Sequence, residues 1–275
     1  MKLREWIALA AAQLEHLEIL NPKLEAQLLA AKVLDKNRSW VLAHSEEVIS
    51  PLEFNLLLTR RLINEPLAYI LGSREFYGRI FKVEKGVLIP RQETETLIEA
   101  ALFNLPINQH VIVLDIGTGS GCIAITLKLE RPSLEVLAVD ISEEALEIAK
   151  ENAQILAAEV KFLLSNGVSE IQEEIKFDCI VSNPPYIENE SALAAEISLF
   201  EPQFALYGGS DGLDFYRRFA REVKPYLKPE GLFLVEVGDH QAEDVQKIYE
   251  KERWKTIQIS KDLDGMQRVI AFALH

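Results

Sequence analysis

Apolar residues recur at helical spacing from the start of the chain. Leu3, Trp6, Ile7, Ala10, Leu14 and Leu17 fall on one face, and the period returns with Leu24, Leu28 and Ala31 and again with Leu52 and Leu56. Residues three and four apart share a helix face, so this pattern predicts amphipathic helices. Pro22 after Asn21 and Pro51 after Ser50 open two of them, because a proline at the first helical position lacks only an N–H that would have had no partner. Ser50 with Glu53 forms a capping-box pattern. The first 65 residues, roughly, read as a small helical bundle.

From Phe76 to Leu88 the pattern changes to short β-like runs around Gly78 and Gly86, ended by Ile89-Pro90-Arg91, which predicts a hairpin. A helix near Glu93–Phe103 follows, and strand and helix signals then alternate. Five strands are expected at Val111–Ile116, Glu135–Asp140, Val160–Leu164, Phe177–Ser182 and Leu232–Val237, with two closing strands at Trp254–Ser260 and Arg268–Leu274. Such alternation marks an α/β fold, a seven-stranded, mainly parallel sheet covered on both faces. The expected boundaries are a helical domain over 1–75, a β-hairpin linker over 76–90 and the sheet domain over 91–275.

The 275-residue length leaves room for two such domains, and with 48% hydrophobic and 26% charged residues the chain is ordinary globular material. Charge changes the picture more. The net charge is −14, with nine basic and ten acidic residues in 1–75 but 20 and 33 in 76–275. A protein that grips a duplex needs a basic face, so direct stable nucleic-acid binding is not expected, although a local basic patch is compatible with this balance. The basic start followed by apolar Trp6–Ala12 resembles a secretory leader, but Glu5 interrupts it and the helical period runs on past Glu15, as in a folded helix. No apolar run reaches the roughly 20 residues of a membrane span, so no membrane partner is expected. Cys122 and Cys179 sit in apolar segments without metal-ligand spacing and read as small buried hydrophobes rather than a disulfide. A cytoplasmic location is the expectation.

The first predicted strand runs into Asp115-Ile116-Gly117-Thr118-Gly119-Ser120-Gly121, with a helical pattern from Cys122. Such a turn lets backbone approach a ligand closely, and helix-start amides offer donors; an ordinary strand-to-helix turn is the plainer alternative. Asp140 ends the second strand 19 residues beyond Gly121, where an acidic side chain can accept both hydroxyl hydrogens of a ribose. The ligand class is therefore a nucleoside. No Gly-Lys-Ser/Thr phosphate loop is present, and Cys122 breaks the Gly-x-Gly-x-x-Gly spacing of dinucleotide sites. The balance tilts from a nicotinamide cofactor to S-adenosylmethionine, with Gly117, Thr118, Gly119, Ser120, Gly121 and Asp140 as candidate cofactor-binding residues.

Asn183-Pro184-Pro185-Tyr186 stands at the carboxyl end of the fourth strand, the edge at which open α/β sheets bind ligands. Methyl transfer needs the attacking nitrogen in line with the methyl group, and an amide nitrogen is a poor nucleophile because its lone pair is delocalised. The Asn183 side-chain oxygen and the Pro184 carbonyl can accept the two hydrogens of a substrate NH2 group and so aim the nitrogen. Two prolines stiffen the array, and Tyr186 offers a flat apolar wall. No general base is required. A rigid strand exit with a buried tyrosine is the plainer reading, and the geometry serves an amide or the amino group of a nucleic-acid base equally well.

With these motifs the chain resembles the release-factor glutamine N5-methyltransferases, the HemK/PrmC family. The resemblance is carried by Pro66-Leu67-Ala68-Tyr69-Ile70-Leu71-Gly72, Glu75-Phe76-Tyr77-Gly78 and Leu88-Ile89-Pro90-Arg91-Gln92-Glu93-Thr94-Glu95. Glu201-Pro202, Gly208-Gly209-Ser210-Asp211-Gly212-Leu213 and Asp264-Gly265-Met266-Gln267-Arg268 add to it. It implies a helical amino-terminal domain that docks the substrate and a hairpin leading to a Rossmann-like methyltransferase domain. The implied substrate is the Gly-Gly-Gln glutamine of class I peptide chain release factors. It also implies that Asn183 contacts the cofactor and that Asn183 to Tyr186 hold the glutamine. Arg91 and Glu95 either line the substrate entrance or form structural contacts.

One stretch departs from the family pattern of an acidic residue followed by an aromatic beside the adenine: here Ser165-Asn166-Gly167 stands. Asn166 can still meet the adenine edge, while Gly167 supplies no stacking surface. Three rivals remain at this point: an amino-methyltransferase acting on a nucleic-acid base, a non-catalytic binding subunit and a nicotinamide oxidoreductase.

Overall fold

The computed structural model describes residues 1–17, 19–107 and 109–274. Two compact units emerge, Met1–Ser73 with Leu193–Glu201, and Arg74–Ala192 with Pro202–His275.

The first unit is built from α1 (Leu3–Leu14), α2 (Pro22–Leu34), α3 (Arg38–Ala43), α4 (Pro51–Leu62) and α5 (Leu67–Leu71). Leu3, Trp6, Ala10 and Leu14 of α1 pack with Leu29 and Ala30 of α2 and with Phe54 and Leu58 of α4. The Trp6 ring meets Phe54 edge-on at 5.1 Å, and its indole N–H donates to Asn55 Oδ1 at 2.9 Å. The helix period was legible, but the buried face of α4 was not. Leu52 and Leu56 are 70% and 60% exposed, because Phe54 and Leu58 repeat at the same interval and the larger aromatic surface takes the core. Ser50 precedes α4 without a side-chain cap bond, so the expected capping box does not form and Pro51 alone marks the start.

Arg61 of α4 is buried, with its Nε 2.7 Å from Glu25 of α2 and Nη2 3.1 Å from Glu196. A buried guanidinium must be paired, and this pairing holds α9 (Ala195–Phe200) in the helical unit. The expected sheet domain of 91–275 thus gives up Leu193–Glu201, a segment with no sequence signal of its own.

The second unit opens on a hairpin of β1 (Ser73–Phe76) and β2 (Arg79–Lys82), earlier and shorter than the expected 76–90. Tyr77 and Gly78 both take positive φ, the two-residue turn that suits strand twist. The Tyr77 amide donates to Glu95 Oε1 at 2.8 Å, which gives Glu95 a structural contact. Buried Asn152 accepts the Lys82 amide at 2.7 Å and donates to the carbonyls of Lys82 and Ser120, both at 2.9 Å. One side chain thereby ties the hairpin to the glycine turn.

After α6 (Glu95–Asn104) come β3 (Val111–Ile116), α7 (Cys122–Glu130), β4 (Leu134–Asp140), α8 (Glu143–Ile155), β5 (Lys161–Leu164) and β6 (Phe177–Ser182). Then follow α10 (Asp214–Glu222), β7 (Leu227–Glu236), α11 (Ala242–Lys251), β8 (Trp254–Lys261) and β9 (Gln267–Leu274). The seven strands are ordered β5-β4-β3-β6-β7-β9-β8, with β9 antiparallel to β7 and to β8 and the other pairings parallel. β7 begins five residues before its expected start, and its register against β6 shifts between Phe177 and Cys179. Pro229 and Gly231 concealed that extension, since both read as breaks. The central strands are apolar on both faces, as a covered parallel sheet requires. Cys122 and Cys179 are buried free thiols, and burial pushes the Cys122 thiol up to about 12.

Candidate active site

The chain starts the sheet at β3, winds outward through β4 and β5, then crosses back to β6, so the strand order reverses between β3 and β6. Ligands bind at such a reversal, beyond the carboxyl ends of the strands. Ser182 Oγ donates to the Ile116 carbonyl at 2.8 Å and closes these two ends together. A cavity of about 320 Å³ opens there, and its walls include Gly117, Gly119, Asp140, Asn166, Asn183, Pro184 and Pro185. A smaller recess of about 40 Å³ is lined by Gly117, Thr118, Gly119, Ser120 and Asn183 together with Arg91 and Thr94. Gly121 and Tyr186 line neither.

Gly121 serves packing: a β-carbon there would fall 2.8 Å from Ile125 Cδ1 and 3.1 Å from Ala149 Cβ. At Gly117 and Gly119 a β-carbon would meet nothing within 4 Å, so the glycine turn leaves open space on the ligand side. Its amides differ from expectation. Gly117 and Thr118 donate to the Val139 carbonyl at 2.9 and 3.0 Å, Gly121 to the Thr118 carbonyl at 2.8 Å, and Gly119 to Asp140 Oδ2 at 2.8 Å. The turn is therefore no cradle for a pyrophosphate.

Asp140 accepts the Ser142 amide on Oδ1 at 2.9 Å and the Gly119 amide on Oδ2, and its carboxylate lines the cavity. Burial raises its pKa, opposed by these amides. Asp115 lies fully buried behind the turn; desolvation pushes its carboxyl up to about 7 against the hydrogen bond from Thr118 Oγ1 at 2.7 Å. Its Oδ1 has no hydrogen-bond partner among the described residues. The Asp140 carboxylate beside a turn whose Gly117, Thr118, Gly119 and Gly121 amides are engaged within the protein offers a ribose acceptor and few donors for a pyrophosphate, so the residues fit S-adenosylmethionine better than a nicotinamide dinucleotide.

At the end of β6, Asn183 Nδ2 donates to Thr94 Oγ1 at 3.1 Å, which leaves the amide oxygen as the end offered to a ligand. The loop beyond it is held by close packing. The Tyr186 carbonyl accepts Gln241 Nε2 at 2.9 Å, and a β-carbon on Gly212 would fall 2.2 Å from that carbonyl. The Tyr186 side chain is half-buried. Its ring lies against Gly238, and its hydroxyl reaches Glu236 Oε1 at 3.4 Å. Glu236, at the end of β7, is buried; desolvation pushes its carboxyl up to about 7, offset in part by the Thr94 hydroxyl and the Arg268 charge. Thr94, Glu236 and Gln241 were not among the expected site residues. Thr94 sits inside the Leu88–Glu95 motif, and the density of glycine over 208–212 signalled tight backbone contact without saying with what.

Asn166 lines the far end of the cavity, beyond β5. Its Oδ1 accepts Arg218 Nη1 at 2.6 Å, so only its NH2 group remains to meet a ligand, as a donor.

Fold and site together define the class: a nucleoside-dependent methyltransferase with Asn-Pro-Pro-Tyr at the exit of β6 beside the cavity. Comparison with known proteins narrows it. Residues 93–201 match the Methyltransferase small domain family, and residues 5–72 match the PrmC N-terminal domain. Release factor glutamine methyltransferase of Koribacter versatilis is 42% identical, covering 98% of both chains. The protein of that name from Neisseria gonorrhoeae is also 42% identical, over 98% of this chain and 96% of its own. A methyltransferase of Pyrococcus furiosus shares the fold, with TM-score 0.55 and 18% identity over 78% of this chain and 95% of its own. The chain belongs to the release factor glutamine methyltransferase family.

Proposed function

We propose that the chain moves the methyl group of S-adenosylmethionine to the side-chain amide nitrogen of the glutamine in the Gly-Gly-Gln motif of class I peptide chain release factors. The observation that carries the reading is the Asn183 amide, whose nitrogen is engaged by Thr94 and whose oxygen is left for a substrate N–H. The cofactor supplies an electrophilic methyl on a cationic sulfur. Asp140 accepts the ribose hydroxyls, and the open side of Gly117 and Gly119 admits the ligand close to the backbone. Asn183 Oδ1 and the Pro184 carbonyl accept the two hydrogens of the substrate NH2 group, which points the nitrogen at the methyl. As the N–CH3 bond forms the S–CH3 bond would break, its electron pair staying on the sulfur of S-adenosylhomocysteine, and the nitrogen becomes acidic, so its proton leaves to water without a dedicated base. Tyr186 acts from behind, stiffening the loop against Glu236 and Gly238.

The helical unit is the part we assign to docking. Leu52, Leu56 and Ile63, on or next to the outer side of α4, are 70%, 60% and 59% exposed, an apolar stripe suited to a protein partner. Leu52→Glu with Leu56→Glu should raise the Michaelis constant for the release factor and leave cofactor affinity unchanged. The function is tested by supplying labelled S-adenosylmethionine with, in parallel, a release factor and ribosomal RNA or duplex DNA. Label on protein supports the reading; label on nucleic acid alone replaces it with base methylation.

A further inference from the structure

The sheet order dictates where the adenine of the cofactor goes. Asp140, at the end of β4, takes the ribose, and Asn183, at the end of β6, lies across β3 from it. In adenosine the base leaves the ribose at C1′ and the 5′ carbon that carries the sulfur leaves it at C4′, at opposite ends of the ring. With the sulfur towards β6, the base must lie towards β5, against Ser165-Asn166-Gly167. All three residues line the cavity, as do Arg218, Phe215 and Phe219 of α10.

Gly167 offers no side chain to cover a base, but its place is filled from α10. A β-carbon on Gly167 would fall 2.9 Å from Arg218 Nη2 and 3.5 Å from Arg218 Cζ, so the guanidinium occupies the space a side chain at 167 would enter. Gly167 also takes φ +68, a conformation that other residues adopt only with strain. The guanidinium is held by its edges. Nη1 and Nη2 donate to Asn166 Oδ1 and to the Asn166 carbonyl at 2.6 and 2.8 Å, and Nε donates to Glu222 at 2.7 Å. Edge contacts on every nitrogen, with the Phe219 ring 5.8 Å from Cζ, leave one face of the plane for a ligand, and a guanidinium face stacks well on a purine.

Resting on the S-adenosylmethionine reading above, we infer that Arg218 is the adenine-stacking residue of this chain, and that Gly167 lacks a side chain so that Arg218 can take that place. Arg218 is a positioning residue that sets cofactor affinity and takes no part in the transfer. Asn166 and Glu222 orient it, and the carboxylate of Glu222 tempers its charge so that the plane, rather than the charge alone, does the recognition.

The test is calorimetric binding to the full chain with S-adenosylhomocysteine and with S-ribosylhomocysteine, which lacks the base. Arg218→Ala should weaken S-adenosylhomocysteine about tenfold. Arg218→Lys, which keeps the charge and loses the plane, should come close to Ala. Neither variant should shift S-ribosylhomocysteine affinity by more than about twofold, because that ligand has no base for the guanidinium to cover. In the wild type, the Arg218 Nε–H resonance should move upfield with the first ligand, under the ring current of the adenine, and stay in place with the second. Unchanged affinity for S-adenosylhomocysteine in both variants would overturn the assignment. So would an equal loss for the two ligands, which would make Arg218 only a brace for the loop. Failure of the wild type to bind S-adenosylhomocysteine at all would instead remove the cofactor reading beneath it.

Discussion

The two ends of the cavity are built by different means. At the nucleoside end the positions come from the sheet itself: Asp140 stands on the last residue of β4, and the Gly117 and Thr118 amides bond to the Val139 carbonyl one residue before it. At the transfer end nothing local fixes Asn183. Its amide is turned by Thr94, 89 residues earlier, and the loop behind it is clamped by Gly212 and Gln241 and backed by buried Glu236. The proposed ribose acceptor is therefore placed by strand ends in register. Transfer needs a network drawn from four separate stretches of chain, and damage at each end should be read by a different measurement.

The largest expected effect is at the transfer end. Asn183→Ala should lower the single-turnover rate at saturating cofactor about a hundredfold or more, because the acceptor that orients the nucleophile is gone. Asn183→Asp keeps the oxygen and should be faster than Ala; an equal rate would end the acceptor role.

Glu236 gives the next effect, in stability. Its folded carboxyl is raised to about 7 from an ordinary 4.5, so the folded chain holds that proton more firmly than the unfolded one. The stability it lends is complete below pH 4.5 and is lost as pH rises to about 7, a swing of about 3 kcal/mol for a shift of this size. Glu236→Gln has no proton to lose. Urea unfolding from pH 4.5 to 7.5 should show the wild type losing stability relative to the variant, and parallel profiles would show that burial does not perturb this carboxyl.

The same asymmetry decided what could be read from sequence. The seven strands, the glycine turn and the place of Asp140 at a strand end were legible because each is set by its neighbours: a strand by its apolar run, a strand-end side chain by the end of that run. The packing demand at Gly121 was not legible, since only the approach of Ala149 on α8 shows it. The packing of the Tyr186 ring towards Gly238 was not legible, because the direction of a loop side chain depends on what fills the space behind it. Thr94, Gln241 and Arg218 escaped for a related reason. Each acts on a partner more than 50 residues away, and no local pattern encodes that pairing.

At the nucleoside end, Asp140→Ala should weaken S-adenosylmethionine binding by about 1.5 to 3 kcal/mol and leave the single-turnover rate at saturating cofactor close to wild type. An unchanged dissociation constant would remove Asp140 from the ribose site. Thr94→Val should have the smallest effect, a fall in single-turnover rate of about fivefold, the worth of one neutral hydrogen bond. A change in cofactor affinity in place of rate would blur the division between the two ends.

The central claim concerns a single atom, the nitrogen that receives the methyl group. The direct measurement is fragmentation mass spectrometry of a release factor after reaction with isotopically labelled S-adenosylmethionine and this chain. One labelled methyl group is expected, on the side-chain nitrogen of the Gly-Gly-Gln glutamine, and none when that glutamine is replaced by glutamate. Label on another residue, or label that persists in the glutamate variant, would contradict the claim.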